Sequence, residues 1–173
     1  PKDDRFAIEF HSNIADFGIS CEACHGPGKS HVEKHSDLLD ANINVELSGM
    51  VDNTIVNPQR LDQERQAQVC GQCHSLFEAS QPEAFLADGL DYQPGEDLLA
   101  NRKMINHKDT NPNLLYYNMF WNDGTMRIGG REYPGLVQSK CYTHGEMTCL
   151  SCHSLHSMEE PGKQLGLNMN TDQ

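Results

Sequence analysis

Three times in 173 residues the chain repeats one five-residue pattern: two cysteines two residues apart, with histidine directly after the second. The copies are Cys21-Glu-Ala-Cys24-His25, Cys70-Gly-Gln-Cys73-His74 and Cys149-Leu-Ser-Cys152-His153. They use six of the seven cysteines. Random placement of the same residues would give about 0.01–0.02 such matches, so three are not chance.

The spacing has a chemical reason. Two thiols separated by two residues reach the two vinyl groups on one edge of a haem and close irreversible thioethers. The next residue then lies under the porphyrin with its imidazole aimed at the iron. The pattern predicts three covalent haem c groups. Cys21, Cys24, Cys70, Cys73, Cys149 and Cys152 would attach them, and His25, His74 and His153 would be the proximal ligands.

Other uses of paired cysteines explain less. A structural zinc takes four ligands from two neighbouring pairs. Three pairs leave one over and give no reason for the histidines. A thioredoxin-like dithiol needs one pair in a βαβ setting. Disulfides fit the cysteine count but not the histidines.

Composition sharpens the point. Leu, Ile, Val and Phe together number 35, or 20% of the chain. That is near the ~20% below which a highly charged chain tends to stay unfolded. Side chains alone are therefore a poor source of core. A buried haem removes on the order of 500 Å² of apolar surface from water, contributing roughly 10 kcal/mol before entropy costs. Three haems would replace the missing aliphatics, and the apoprotein is expected to be unfolded.

Lys plus Arg is 13 and Asp plus Glu is 25, a formal charge of -12. Such a surface does not suit nucleic acid or anionic membrane. No apolar run approaches the ~18 residues needed to span a bilayer. Haem propionates would add negative charge. The charge fits a redox partner that is basic or presents haem edges ringed by Lys, and it equally fits solubility alone.

Local signals point to short elements. A Gly-Pro-Gly loop after His25 leads into a polar stretch read as helical. Asn57-Pro58 reads as N-cap and first helical residue of a helix running into Cys70. Residues 80–114, punctuated by Pro82, Gly89, Pro94, Gly95 and Pro112, read as short helical pieces and loop. Trp121–Gly130 reads as a small hairpin around Asp123-Gly124. Glu132-Tyr133-Pro134 opens a helix expected to reach Tyr142, and Glu159-Glu160-Pro161-Gly162 reads as a turn. The motifs show no fixed period, which excludes a solenoid.

Two stretches carry a family resemblance. One is Gly18-Ile-Ser-Cys21-Glu-Ala-Cys24-His25-Gly-Pro-Gly-Lys-Ser-His31-Val. The other combines Trp121-Asn-Asp-Gly, Gly130-Arg-Glu-Tyr and Ser139-Lys-Cys141-Tyr-Thr-His-Gly-Glu-Met-Thr-Cys149-Leu-Ser-Cys152-His153-Ser-Leu-His156. Together they resemble the doubled-CXXCH multihaem cytochromes. That group includes tetratricopeptide-linked cytochromes and relatives of the tetrahaem cytochrome of ammonia oxidation. The resemblance spans roughly residues 17–158; the chain has no tetratricopeptide repeat.

The expected fold is mainly α with much irregular structure. It would be a small multihaem cytochrome c, a single domain over residues 1–173 with its core built around three stacked haems. The chain opens at Pro1 and stops in polar sequence at Gln173, and it is expected to be a fragment or lobe of a longer multihaem protein. Haem attachment of this kind takes place outside the cytoplasm, so the expected location is periplasmic or extracellular.

Six histidines remain for the sixth iron positions. His156, three residues after His153, suits the distal face of a neighbouring haem, and the family's Cys-His-x-x-His pattern implies the same role. For His31 the resemblance implies a distal ligand, again of a neighbouring haem. His11, flanked by apolar residues, and His107 are further candidates. His35 and His144 read as surface residues. Met104, Met119, Met126, Met147 and Met158 are thioethers that reach irons in some cytochromes, and they read here as core filler. Cys141 reads as a buried small hydrophobe, with a free thiol near a haem, a thiolate ligand and an intermolecular link as alternatives.

The leading function is electron transfer through three mostly bis-His haems, in a carrier or conduit with other redox proteins, including other multihaem cytochromes, as partners. The alternative is a haem enzyme acting on small nitrogen compounds at one open axial site, with Arg127, Arg131, Tyr133 or Tyr142 as nearby donors. Six spare histidines for three irons weigh against an open site. A third reading is a scaffold whose haems serve mainly to fold it.

Overall fold

The computed structural model describes residues 18–40, 52–108 and 118–156, with side chains in the second helix described to Ser36. The expected turn at 159–162 lies outside them. In chain order the described elements are α1 (Glu22–His25), α2 (Lys29–Asp40), a 3-10 turn (Pro58–Arg60), α3 (Gln63–His74), β1 (Phe77–Ala79), α4 (Pro82–Asp88), β2 (Arg102–Met104), α5 (Tyr133–Gln138), α6 (Lys140–Thr143) and a 3-10 turn (Cys149–Ser151). Short helices and irregular chain predominate.

Residues 102–104 depart from the helix-and-loop reading of 80–114. β1 and β2 pair antiparallel, Phe77 opposite Met104, Glu78 opposite Lys103 and Ala79 opposite Arg102. The opposed Glu78 and Lys103 charges favour that register.

Two helices differ from expectation at their ends, each for a capping reason. Asn57 does cap, its side chain accepting from the Gln59 amide at 3.0 Å, but only a single 3-10 turn follows. The chain extends at Leu61, and Asp62 starts α3 by accepting from the Arg65 amide at 2.8 Å. The helix expected from Tyr133 to Tyr142 is broken at Ser139, whose extended backbone and side chain begin α6 instead. Its Oγ accepts from the Tyr142 amide at 3.2 Å. A polar residue that satisfies free amides favours a new start over continuation.

The Asp123-Gly124 turn forms as expected. Phe120 and Met126 make an antiparallel bridge, the Trp121 amide donates to the Thr125 carbonyl at 2.7 Å, and Gly124 takes a φ of +91°. Glycine suits that left-handed conformation because it has no Cβ.

The apolar core is thin. Among the described residues the buried apolar side chains are Ala67, Val69, Leu98, Ile105, Phe120 and Tyr133, with Pro94 and Pro134. Tyr133 and Leu98 pack against α3 at Gly71. Gly71 makes the close approach there: a Cβ would lie 2.9 Å from the Tyr133 ring and 3.1 Å from Leu98.

Candidate functional site

The second motif ends α3, and that helix organises the other two. α3 is polar, and its glutamines act as ties. Gln63 Nε2 lies 3.1 Å from the carbonyls of Tyr142, Gly145 and Met147. Gln66 accepts from the Thr148 hydroxyl. Both hold the strand of chain that enters the third motif. At the other end, Gln72 Nε2 donates at 2.7 Å to the carbonyl of Ala23, inside the first motif. Gln68, fully buried, accepts through Oε1 from the Leu98 amide at 3.0 Å and from Arg65 at 2.7 Å, and donates through Nε2 to Glu64 and Asp97 at 3.3 Å. A buried amide satisfied on both sides fixes geometry more sharply than an apolar contact does.

The first motif lies mostly on the four-residue α1, closed by Gly26 at a φ of +74°. The segment around Val56 latches onto it twice. The Val56 amide donates to the His25 carbonyl at 2.9 Å, and His25 Nδ1 sits 2.6 Å from the Val56 carbonyl. The third motif opens as a 3-10 turn with reciprocal bonds between Thr148 and Ser151.

These ties bring the motif sulfurs together. Cys70 and Cys149 lie close enough to shift each other: Cys149 is drawn down, and Cys70, partly by burial, is pushed up. Burial, with Cys73 and Cys21 nearby, raises Cys24. All seven cysteines are unpaired. Among the described residues no cysteine belongs to a group of three ligand-type side chains close enough to share an ion.

Two motif imidazoles are held through Nδ1. His25 Nδ1 donates to the Val56 carbonyl, and His74 Nδ1 lies 3.0 Å from Glu132 Oε2. Each contact selects the tautomer with Nε2 free as a ligand, the usual arrangement behind metal-binding histidines. His153 is exposed at the third motif.

His156 lies beside His25, not over its own motif. Their ring centroids are 5.8 Å apart and the planes differ by 13°. Residues 153–156 are not helical, so the relation does not come from helical offset.

The remaining histidines separate. His31 and His35, one helical turn apart on α2, converge on Asp52. His31 Nδ1 is 3.0 Å and His35 Nε2 2.5 Å from Asp52 Oδ2. Oδ1 accepts from the Thr54 amide at 2.9 Å, the Thr54 hydroxyl at 2.6 Å and Lys34 at 3.2 Å. Hydrogen bonds from Thr54, then His35 and Lys34, outweigh burial and hold Asp52 well below the usual aspartate range. Among the described residues this trio is the group able to hold a metal ion. Sequence reading set His35 aside as a surface residue, whereas it is half-buried here. The signal was its four-residue spacing from His31 on one helical face.

His107 is edge-on to Phe120 at 6.2 Å and lies against the Gly124 turn. His144 is exposed and bonds its neighbour Thr143. His11 and Met158 lie outside the described residues. Cys141 is exposed, which corrects its reading as a buried hydrophobe. It sits on the short α6, where breaking the helix at Ser139 leaves too little structure to cover it. Of the candidate donors, Arg127 stacks on Trp121 at 4.5 Å and Tyr133 is buried against Gly71.

Comparison with protein-family models, with curated proteins and with solved structures gave no match.

Proposed function

We propose that this chain is an electron-transfer protein carrying three covalently attached haems c, a carrier or conduit that works outside the cytoplasm. The observation that carries the reading is the repeated Cys-x-x-Cys-His sequence, with His25 and His74 held through Nδ1. The residues present fit haem: each motif offers two thiols and an imidazole, and a further imidazole, that of His156, lies beside His25.

In this reading Cys21 and Cys24, Cys70 and Cys73, and Cys149 and Cys152 anchor the three groups. His25, His74 and His153 would be the proximal ligands, and His156 would be a distal ligand at the first motif. His31, already oriented by Asp52, is a further distal candidate, as are His107 and His11. Bound haem supplies reversible one-electron chemistry at iron. The chain's own part is to fix the imidazoles, so that little has to move when the charge changes, and to cover the rings. The net charge of -12 favours partners with basic surfaces, other multihaem cytochromes among them. The stacked-haem core belongs to the same proposal.

Intact mass under denaturing conditions tests the attachment. Three haems retained per chain after expression with export and haem-ligation machinery is the expected result. A mass equal to the bare polypeptide under those conditions would overturn the reading.

A further inference from the structure

The segment 130–133 closes onto the second motif, residue against residue. Arg131 Nη1 donates to the Cys73 carbonyl at 2.7 Å, and Glu132 Oε2 meets His74 Nδ1 at 3.0 Å. Tyr133 packs on Gly71. Glu132 is itself positioned, its Oε1 accepting from the Gly130 amide at 2.7 Å, and Gly130 turns at a φ of +76°. Three consecutive residues thus engage one motif from 58 to 62 positions away in sequence. At the first motif the equivalent contact is a neutral backbone carbonyl, that of Val56.

The difference matters at an axial imidazole. A carboxylate accepting the Nδ1 proton draws it away from the ring and makes the other nitrogen a stronger donor to the metal. A stronger donor favours the more positive, oxidised iron and lowers the reduction potential. A carbonyl does the same more weakly. Hydrogen bonding around the axial ligand is one of the levers that tune a haem.

Resting on the three-haem reading, we infer that Glu132 is a positioning residue that sets the haem of the second motif to a lower reduction potential than a carbonyl-backed histidine would give. Electrons would then leave this haem for the first one, whose His25 is backed by Val56. Glu132 touches no iron and acts only through His74.

The test is a spectroelectrochemical titration of the haem-loaded chain and two variants. Glu132→Gln keeps an acceptor for His74 and removes the charge. Glu132→Asp keeps the charge and withdraws it from the ring. The expected result is that one of three redox waves moves to more positive potential in both variants, further in Glu132→Gln, with haem content and low-spin bands unchanged. A purely structural role would lower haem content or melting temperature and leave the waves in place. Three haems with all waves unmoved, or all moved equally, would overturn this inference alone. If one variant is not recovered, the other decides. A wild-type chain without covalent haem would overturn the functional reading, and this inference with it.

Discussion

The region around α3 and the segment carrying the first motif are held by different means. Around α3, Ala67, Val69, Leu98 and Tyr133 are buried, and Gln68 is satisfied on both sides. From Gly18 to Ser36 no described side chain is buried, and Ile19 and Val32 are 84% and 64% exposed. That segment is tied by polar contacts: Val56 on His25, Gln72 on Ala23, and Asp52 on His31, His35 and Lys34. One region has a small core of its own. The other has orientation without a core, which is the condition expected where a large apolar ligand would supply it.

The sharpest way to break this contrast is to remove thiols from one motif at a time. In Cys70→Ala with Cys73→Ala, the loss of haem beside the hub should abolish the cooperative fold, seen as loss of a melting transition by circular dichroism. In Cys21→Ala with Cys24→Ala, two haems should stay attached. Limited proteolysis should then cut within 18–40 and spare 57–108 and 118–156. Equal resistance of both variants to protease would refute the contrast.

A smaller effect is expected inside the hub. Gly71→Ala places a methyl 2.9 Å from the Tyr133 ring. Overpacking of this kind costs about 1–3 kcal/mol. Denaturant titration should show it as a lower midpoint with unchanged slope, and a neutral result would mean that α5 moves aside freely.

Gln72→Ala removes the amide that joins the two regions. A net hydrogen bond contributes about 0.5–1.5 kcal/mol, so the global midpoint should fall only slightly. Exchange of amides in 21–25 should rise more than exchange in α3. Uniform acceleration would show that the regions unfold together.

The mildest prediction concerns acid. Asp52 has its folded pKa below the unfolded value of ~3.9, held there chiefly by the Thr54 hydroxyl and amide and then by His35. Its stabilising effect is therefore present above that unfolded value and is lost as pH falls through it toward the folded one. Between pH 7 and 3, Asp52→Asn should start less stable and lose less on acidification. A wild-type and variant pair with parallel acid limbs would refute the role of Asp52 as the tie for α2.

Much of this was readable from residue order. The motif spacing, the Asp123-Gly124 turn and the helix after Gly-Pro-Gly are local codes, set by geometry within a few residues. The thinness of the core followed from composition. What stayed hidden depends on partners far along the chain. Nothing local says that Val56 meets His25 across 31 positions, or that Glu132 meets His74 across 58. Ser139 hid its break because a serine inside a helical stretch is ordinary until its side chain is seen to cap. His35 was missed for the opposite reason: its spacing from His31 is local, but only Asp52 gives the pair a target.

The proposed function turns on paired imidazoles, His25 and His156 among them, serving as ligands on both faces of a haem iron. The most direct measurement is the visible spectrum of the oxidised, haem-loaded protein, repeated after reduction with and without carbon monoxide, for the wild type and His156→Ala. The account predicts low-spin bands with no carbon monoxide response in the wild type. It predicts one high-spin, carbon monoxide-binding haem in His156→Ala. A high-spin band and carbon monoxide binding already in the wild type would contradict it and favour a haem enzyme with an open site, while an unchanged spectrum in His156→Ala would remove His156 as a ligand.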